Sequence, residues 1–349
     1  MNCNEWENYM NVKDIKEYGL SIGYCNVGIT SVASLDGYYD EMKKRSEEYS
    51  FFMKNFATPV TEKMPEAKSI IVLVRDYFQN SFPDSLTDII GKVYLARAYN
   101  PPVGNIEHTR LSLMKGFLSM QGMLANSDIN VPVRLAGQQA GVTTFGRNTF
   151  AFDDDAGSYI MLYTIVVDAE LEYDTPNMAD KCPPNCKACI NACPTNAIYE
   201  PYKQDPRKCI PYSNWINQER WGAKPPFVPL DLRDKIGQKV HGCDICQDVC
   251  PRNHKKLNQL KPADKYIEKI APEITLTSLL HIDDEFYFNR VKPLLYPYIK
   301  DKRYFIRNAA IAMGNSGEKR YIDDLKIALE NPDPMVREFV TWALNKLDS

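Results

Sequence analysis

The stretch Cys182-Pro-Pro-Asn-Cys186-Lys-Ala-Cys189-Ile-Asn-Ala-Cys193-Pro194 and its partner Cys243-Asp-Ile-Cys246-Gln-Asp-Val-Cys250-Pro251 decide how this chain is read. Cys209 stands alone between the two runs. Cysteines spaced two or three residues apart can wrap three corners of an iron–sulfur cubane, and the Cys-Pro that closes each run ligates the other cluster. That rule assigns Cys182, Cys186, Cys189 and Cys250 to one [4Fe–4S] cluster, and Cys193, Cys209, Cys243 and Cys246 to a second. Zinc is the alternative for soft thiolate ligands. It would take four ligands per run, often with histidine, and has no use for a repeated Cys-Pro ending. The wider gap between Cys182 and Cys186 is the feature that keeps zinc open. The spacing as a whole predicts electron transfer through a ferredoxin-like module.

Outward from these runs, the 349 residues suffice for two or three domains, each with its own core. A hydrophobic content of 44% with 25% charged residues is that of a soluble globular chain. Ten cysteines are too sparse at this length for a disulfide scaffold. Cys3 and Cys25 lie outside both runs and read as packing or surface thiols. The N-terminus, Met-Asn-Cys-Asn-Glu-Trp-Glu, has no basic region, apolar signal core or twin arginine. No stretch approaches the ~20 apolar residues of a membrane span. The expectation is a cytoplasmic protein with reduced thiols and no membrane partner.

Residues 1–180 read as a mixed α/β domain. Val27–Val32, Ser69–Val74 and Tyr159–Val167 have the β-branched and aromatic content of strands. Leu35–Phe56 and Ile106–Leu124 have helical spacing, and Asn100-Pro101-Pro102-Val103-Gly104 breaks the chain before the second of them. Residues 181–255 form the cluster domain, with Lys224–Pro229 as a stiff loop between Cys209 and Cys243. Residues 256–349 are helical. A stripe of Tyr304, Ile306, Ala309, Ala310 and Met313 ends near Gly314–Gly317, a second helix spans Tyr321–Leu329, and Asn331-Pro-Asp-Pro334 opens a third over Met335–Leu347. Short helix pairs with a proline–aspartate turn are the mark of HEAT-type repeats. The predicted class is α+β: an N-terminal α/β domain, a two-cluster domain and a short helical tail.

Net charge is −3, but six bases (Arg290, Lys292, Lys300, Lys302, Arg303 and Arg307) face one acid, Asp301, between residues 290 and 307. A second basic group, Arg252, His254, Lys255 and Lys256, follows Cys250. Such groups can hold nucleic-acid phosphates, or form an ordinary solvated face.

The cluster runs, the domain order and the tail together resemble the epoxyqueuosine reductase family, cobalamin-dependent two-cluster enzymes that finish queuosine synthesis on tRNA. The likeness is carried by His241-Gly-Cys-Asp-Ile-Cys-Gln-Asp-Val-Cys-Pro-Arg-Asn253, Ala192-Cys-Pro-Thr-Asn-Ala-Ile-Tyr-Glu-Pro201 and Arg207-Lys-Cys-Ile-Pro-Tyr212. In the tail it is carried by Arg307-Asn-Ala-Ala-Ile-Ala-Met-Gly-Asn315 and Pro334-Met-Val-Arg-Glu-Phe-Val-Thr-Trp-Ala-Leu344. It covers most of the chain and is looser in the N-terminal half. There the family places a proton-donating aspartate three residues before a proline. Here Ile129 holds that place before Pro132, and Asp128 stands one position earlier. Along a strand, such a slip would turn the side chain to the opposite face. Gly146-Arg147-Asn148-Thr149 stands for the family's Gly-Lys-Asn-Thr, followed by Gly157-Ser158, and Asn100-Pro101-Pro102 replaces an Asp-Tyr-His element.

The resemblance implies a base-off cobalamin, held by Arg147, Asn148, Ser158, Pro211, Gly242 and Asp244, with the cluster of Cys243 and Cys246 nearest to it. His108, His241, His254 and His281 are scattered and read as surface or capping residues. Electrons would come from an external low-potential donor. The proton would come from Asp128, or from a set made of Tyr94, Arg97 and Tyr99 in which a cation lowers the tyrosine pKa. Lys300, Lys302, Arg303 and Arg307 are the candidate tRNA contacts. Two other functions fit the same motifs: reduction of a small molecule, as in reductive dehalogenases, and electron transfer to a separate corrinoid enzyme.

Overall fold

The computed structural model describes residues 11–45, 58–99, 101–215, 228–297 and 301–348. Packing divides the chain into two compact units. The first comprises Met1–Asp76, Pro102–Gly146 and Phe150–Cys182; the second comprises Tyr77–Pro101, Arg147–Thr149 and Pro183–Ser349. The expected boundaries at 180 and 255 follow a different division, because residues 77–101 group with the cluster segment and the tail.

The first unit is built on a four-stranded sheet, β1 (Asn26–Ser31), β2 (Ser69–Asp76), β3 (Ala125–Asn126) and β4 (Ile160–Val167), in the order β1-β2-β4-β3. Every pairing is antiparallel, with Ile71 opposite both Ile29 and Ile165. Its longer helices among the described residues are α1 (Val12–Ser21), α2 (Asp36–Lys44), α3 (Ile106–Met120) and α4 (Val133–Gln139). The central strand β2 reads Ile-Ile-Val-Leu-Val without polar alternation because both of its faces are covered. Ile70, Val72 and Val74 share a core with Ala136 and Ala140, while Ile71 and Leu73 pack with Ile15, Met114 and Leu118. Asn11 caps α1, and the Asn105 side chain accepts the Glu107 amide at 2.8 Å to start α3.

The three expected strands are present with ends shifted by one or two residues. The helix expected over Leu35–Phe56 begins as a 3-10 turn, Val32–Leu35, that runs into α2; its later part lies outside the described residues. The helix expected to reach Leu124 stops at Met120, because Gly122 takes φ +81° and the chain enters β3 three residues later.

The second unit carries α5 (Ala188–Ala192), α6 (Ile210–Trp215), α7 (Ile245–Asp248), α8 (Leu276–Leu280), α9 (Arg303–Ser316), α10 (Ile322–Ala328) and α11 (Pro334–Asp348). The three tail helices fall where their spacing and breaks predict. Asp333 accepts the Met335 amide at 2.8 Å with Pro334 at the first helical position, and Gly317 ends α9 at φ +70°. One expectation about α9 is corrected. It was read as an amphipathic stripe, yet every residue from Tyr304 to Gly314 is buried. The helix is enclosed by α8, α11 and the cluster segment, so its polar residues Arg307 and Asn308 lie in the core.

Candidate cluster and cofactor site

Each cysteine run folds as a loop leading into one short helix that a proline then stops. Cys189 sits in α5 and Cys246 in α7, and the two helices pack on each other. A residue before proline is pushed out of helical conformation. Cys193 accordingly takes φ −70°, ψ 107°, and Cys250 φ −78°, ψ 122°. The closing cysteine of each run therefore leaves the helical conformation, as the expected ligation of the other cluster allows. Cys209 has the same extended form, φ −68°, ψ 132°, at the end of the Pro206–Lys208 turn.

Charge coupling shows which thiols are neighbours. Burial, then the charges of Cys243 and Cys193, push the Cys209 thiol up to about 12. Burial raises Cys243 to about 11, with Cys193 also contributing. Burial and then Cys243, Cys209 and Cys193 raise Cys246. The ionised forms of Cys193, Cys209 and Cys243 would thus each oppose charge on Cys246, which brings the four residues expected for the second cluster together. Cationic iron would reverse that repulsion. N–H donors already face the sulfurs: the Ala197 amide lies 3.3 Å from Cys193 Sγ, and the Gln204 side chain bonds Cys209. Such donors tune cluster potential. Among the described residues, no three His, Cys, Asp or Glu side chains gather around a single metal-ion position. A cubane sets each thiolate on its own iron, so its ligands need not converge on one point. The donor set fits two iron–sulfur clusters. Cys25, in the other unit, bonds the Val74 carbonyl through its thiol at 3.3 Å, and Cys3 lies outside the described residues.

The segment 77–101 is the platform beneath the second run. The Val240 and His241 amides donate to Ile89 O at 2.8 and 3.1 Å, and the Gly91 amide returns a bond to His241 O at 2.8 Å. Gly242 takes φ +85°, and a Cβ there would lie 2.5 Å from Tyr94 Cε2. The Lys92 amide donates to Asp244 Oδ2 at 2.7 Å, and its ammonium grips both Asp248 oxygens at 2.7 and 2.9 Å. His241 is corrected from a surface residue to a core one. It is 3% exposed, packs 4.1 Å from the Tyr94 ring, and is pulled down to about 3 by burial.

The expected cobalamin positions are spread over both units. In the second, Arg147 Nη1 donates to Cys186 O at 3.0 Å and Asn148 Nδ2 to Cys246 O at 3.1 Å, one bond to each cluster loop. Asp244 is buried and also accepts from Gln247 Nε2 at 3.2 Å; Pro211 is half-buried in α6. Ser158 is buried in the first unit. The side chains of Arg147, Asn148 and Asp244 hold the loops of the two runs.

The two proton-donor readings part company. Asp128 is exposed in a loop of the first unit, where its amide donates to Asn126 Oδ1 at 2.8 Å. It does not lie in a strand, since β3 ends at Asn126. The picture of a tyrosine acidified by a cation is corrected. Tyr94 is 4% exposed and raised well above its ordinary value by burial, then by Tyr99 and Asp244. Arg97, the intended cation, pairs with Asp264 at 2.7 Å in a left-handed conformation, φ +54°. Tyr99 packs its ring at a tilt against Tyr94 and is raised by its own burial.

The basic stretch of the tail is also corrected in part. Arg307 is 1% exposed and donates to the Ser213 and Asn214 carbonyls; burial pulls its guanidinium down to about 10. It is not available to a phosphate. Lys302 pairs with Asp284 at 2.8 Å, and Arg303 is shared between Asp301 and Asp333. Lys300 lies outside the described residues, as does Asn100 of the altered Asn-Pro-Pro element. Charge counting along the sequence could not reveal acids supplied from other helices. Nor did any spacing signal point to Lys92 or to the Gly91–Gly242 approach.

Comparison with known proteins agrees with this geometry. Residues 181–253 match the family model described as a 4Fe-4S double cluster binding domain. The chain is 29% identical to the epoxyqueuosine reductase of Pseudomonas aeruginosa, covering 96% of this chain and 94% of that protein. It is 25% identical to that of Bacillus subtilis, covering 97% and 89%. A crystal structure of epoxyqueuosine reductase with an epoxyqueuosine-modified tRNA-Tyr stem loop shares the fold, with TM-score 0.81, 23% identity, and coverage of 97% and 90%. No helix among the described residues is long and apolar enough to cross a membrane. With these cysteines and this end-to-end similarity, the chain is an oxidoreductase similar along almost its whole length to epoxyqueuosine reductases, with two [4Fe–4S] clusters and cobalamin as its cofactors.

Proposed function

We propose that this protein reduces epoxyqueuosine in tRNA to queuosine. The observation that carries the reading is the coupled quartet Cys193, Cys209, Cys243 and Cys246, set in a double-cluster segment whose relatives match along almost the whole chain. Cys182, Cys186, Cys189 and Cys250 would hold the first cluster and the quartet the second. Deoxygenation of an epoxide takes two electrons and two protons and releases water. When bound, the clusters relay single electrons from an external low-potential donor, and base-off cobalamin supplies the reducing centre. The chain's own residues arrange and protect this site. Arg147 and Asn148 tie down the loops of the two runs, and Lys92 and Asp244 fix the second run on its platform. The rings of Tyr94, His241 and Phe305 keep water from that platform. Asp128 is the better proton donor of the two readings, because its carboxylate is exposed whereas Tyr94 holds its proton in the core.

Lys302, Arg303 and Lys300 remain the tail groups offered to tRNA, and reduced thiols suit a cytoplasmic setting. The modules are the N-terminal α/β domain for cobalamin, the ferredoxin-like segment, and a HEAT-like tail. The burial of Arg307 and the pairing of Lys302 and Arg303 favour a second reading, in which the tail braces the clusters and the substrate is a small molecule. Anaerobic reconstitution followed by nucleoside analysis of epoxyqueuosine-bearing tRNA separates them. Queuosine supports the first reading, and unchanged tRNA in the presence of intact cofactors supports the second.

A further inference from the structure

We propose that Arg307 and Asn308 are positioning residues for the second cluster, holding the segments that carry Cys209 and Cys243 at a fixed spacing. The proposal rests on the two-cluster reading above. Cys209 leads directly into α6, whose last-turn carbonyls accept from the tail. Arg307 Nη2 donates to two of them, Ser213 O at 2.7 Å and Asn214 O at 2.9 Å. The amide of Asn308 has two hydrogens and spends one on each segment: Asn214 O at 2.7 Å, and Val240 O at 2.8 Å, three residues before Cys243. Asn214 closes the ring by donating from Nδ2 to Lys239 O at 2.7 Å. Arg307 Nε donates to Asn308 Oδ1 at 3.0 Å, which fixes the amide so that its nitrogen faces the two carbonyls.

The three side chains are 1%, 2% and 0% exposed, so water cannot replace these bonds. An apolar residue at either tail position would fill the space and leave the carbonyls orphaned. The spacing they fix is the one the cluster needs. Cys209 arrives without neighbouring cysteines, so nothing in its own run sets its distance from Cys243 and Cys246.

The test compares Asn308→Leu and Arg307→Lys with wild type and with Cys209→Ser. Asn315→Ala serves as a control, since Asn315 sits on the same helix and bridges Arg233 O and Gly237 O at 2.8 and 2.9 Å. After anaerobic reconstitution, iron per chain, electron paramagnetic resonance of the reduced protein and circular dichroism are measured. Asn308→Leu is expected to fall from about eight irons toward about four, leaving the resonance seen in Cys209→Ser. Arg307→Lys keeps the charge but loses the planar fork, and is expected to lose part of the second signal. Asn315→Ala is expected to keep both. Should Asn308→Leu fail to fold, Arg307→Lys carries the same comparison. Folded variants with full iron and unchanged spectra would overturn the proposal, as would Asn315→Ala losing the second cluster equally. A wild-type protein that cannot hold two clusters would overturn the underlying reading as well.

Discussion

Replacing Gly242 with alanine tests whether residues 77–101 truly support the second cysteine run. Gly242 has φ +85°, a conformation costing an L-residue about 1–2 kcal/mol. The added Cβ would stand 2.5 Å from Tyr94 Cε2, 3.0 Å from Cδ2 and 3.3 Å from Gly91 Cα. The Tyr94 ring cannot retreat easily, since it is packed 4.1 Å from His241 and 5.3 Å from Tyr99. Overpacking of this kind costs about 1–3 kcal/mol, giving about 2–5 kcal/mol in all. With a urea slope near 3 kcal/mol per molar, the midpoint of the second unit should fall by about 0.7–1.7 M. Gly317→Ala is the control, because it has φ +70° but nothing within 4 Å of the added carbon. It should pay the conformational part alone, about 1–2 kcal/mol. Urea titration followed by tyrosine fluorescence and by cluster absorbance reads both variants. If Gly242→Ala loses no more than Gly317→Ala, the close approach to Tyr94 does not hold the platform to the run, and the reasoning fails.

The other consequences can be checked separately. Cys209→Ser should reduce iron from about eight to about four per chain while the first cluster persists; retention of both clusters would remove Cys209 from the quartet. Neutralising Lys302 and Arg303 should flatten the slope of log tRNA affinity against log salt by up to about 0.7–0.9 per contact, whereas Arg307→Gln should leave it unchanged. A flattened slope for folded Arg307→Gln would contradict its burial. Asp128→Asn should lower turnover about 100-fold or more if this carboxyl delivers the proton, with cofactor content intact. Wild-type turnover in that variant would assign the role elsewhere. Bound cobalamin in its paramagnetic state should show no axial nitrogen splitting; such splitting would mean a histidine or the cofactor's own base is coordinated.

The parts legible in the sequence were those fixed by local spacing. Cysteine intervals and the two Cys-Pro endings dictate helix and stop within a few residues, so the local form of both runs could be read before any coordinates. The tail helices were legible for the same reason, through apolar spacing and the Asn-Pro-Asp-Pro break. What escaped reading depends on contacts between distant residues. The union of residues 77–101 with the cluster segment rests on backbone bonds between Ile89, Gly91 and His241 and on two glycines, none of which leaves a periodic trace. Arg307 looked like one cation in a basic patch because composition carries no information on burial. Tyr94 and Arg97 are near in sequence, but the left-handed turn at Arg97 and its pairing with Asp264 separate their roles.

The proposed activity is a redox reaction on a modified nucleoside in tRNA. Its most direct test incubates the anaerobically reconstituted protein, shown to hold both clusters and cobalamin, with a low-potential reductant and an epoxyqueuosine-bearing tRNA stem loop. The nucleosides are then resolved by mass. Epoxyqueuosine should lose one oxygen to give queuosine, dependent on Cys209 and on added cobalamin. Unchanged epoxyqueuosine after many cofactor equivalents of reductant, with iron near eight per chain, would contradict it.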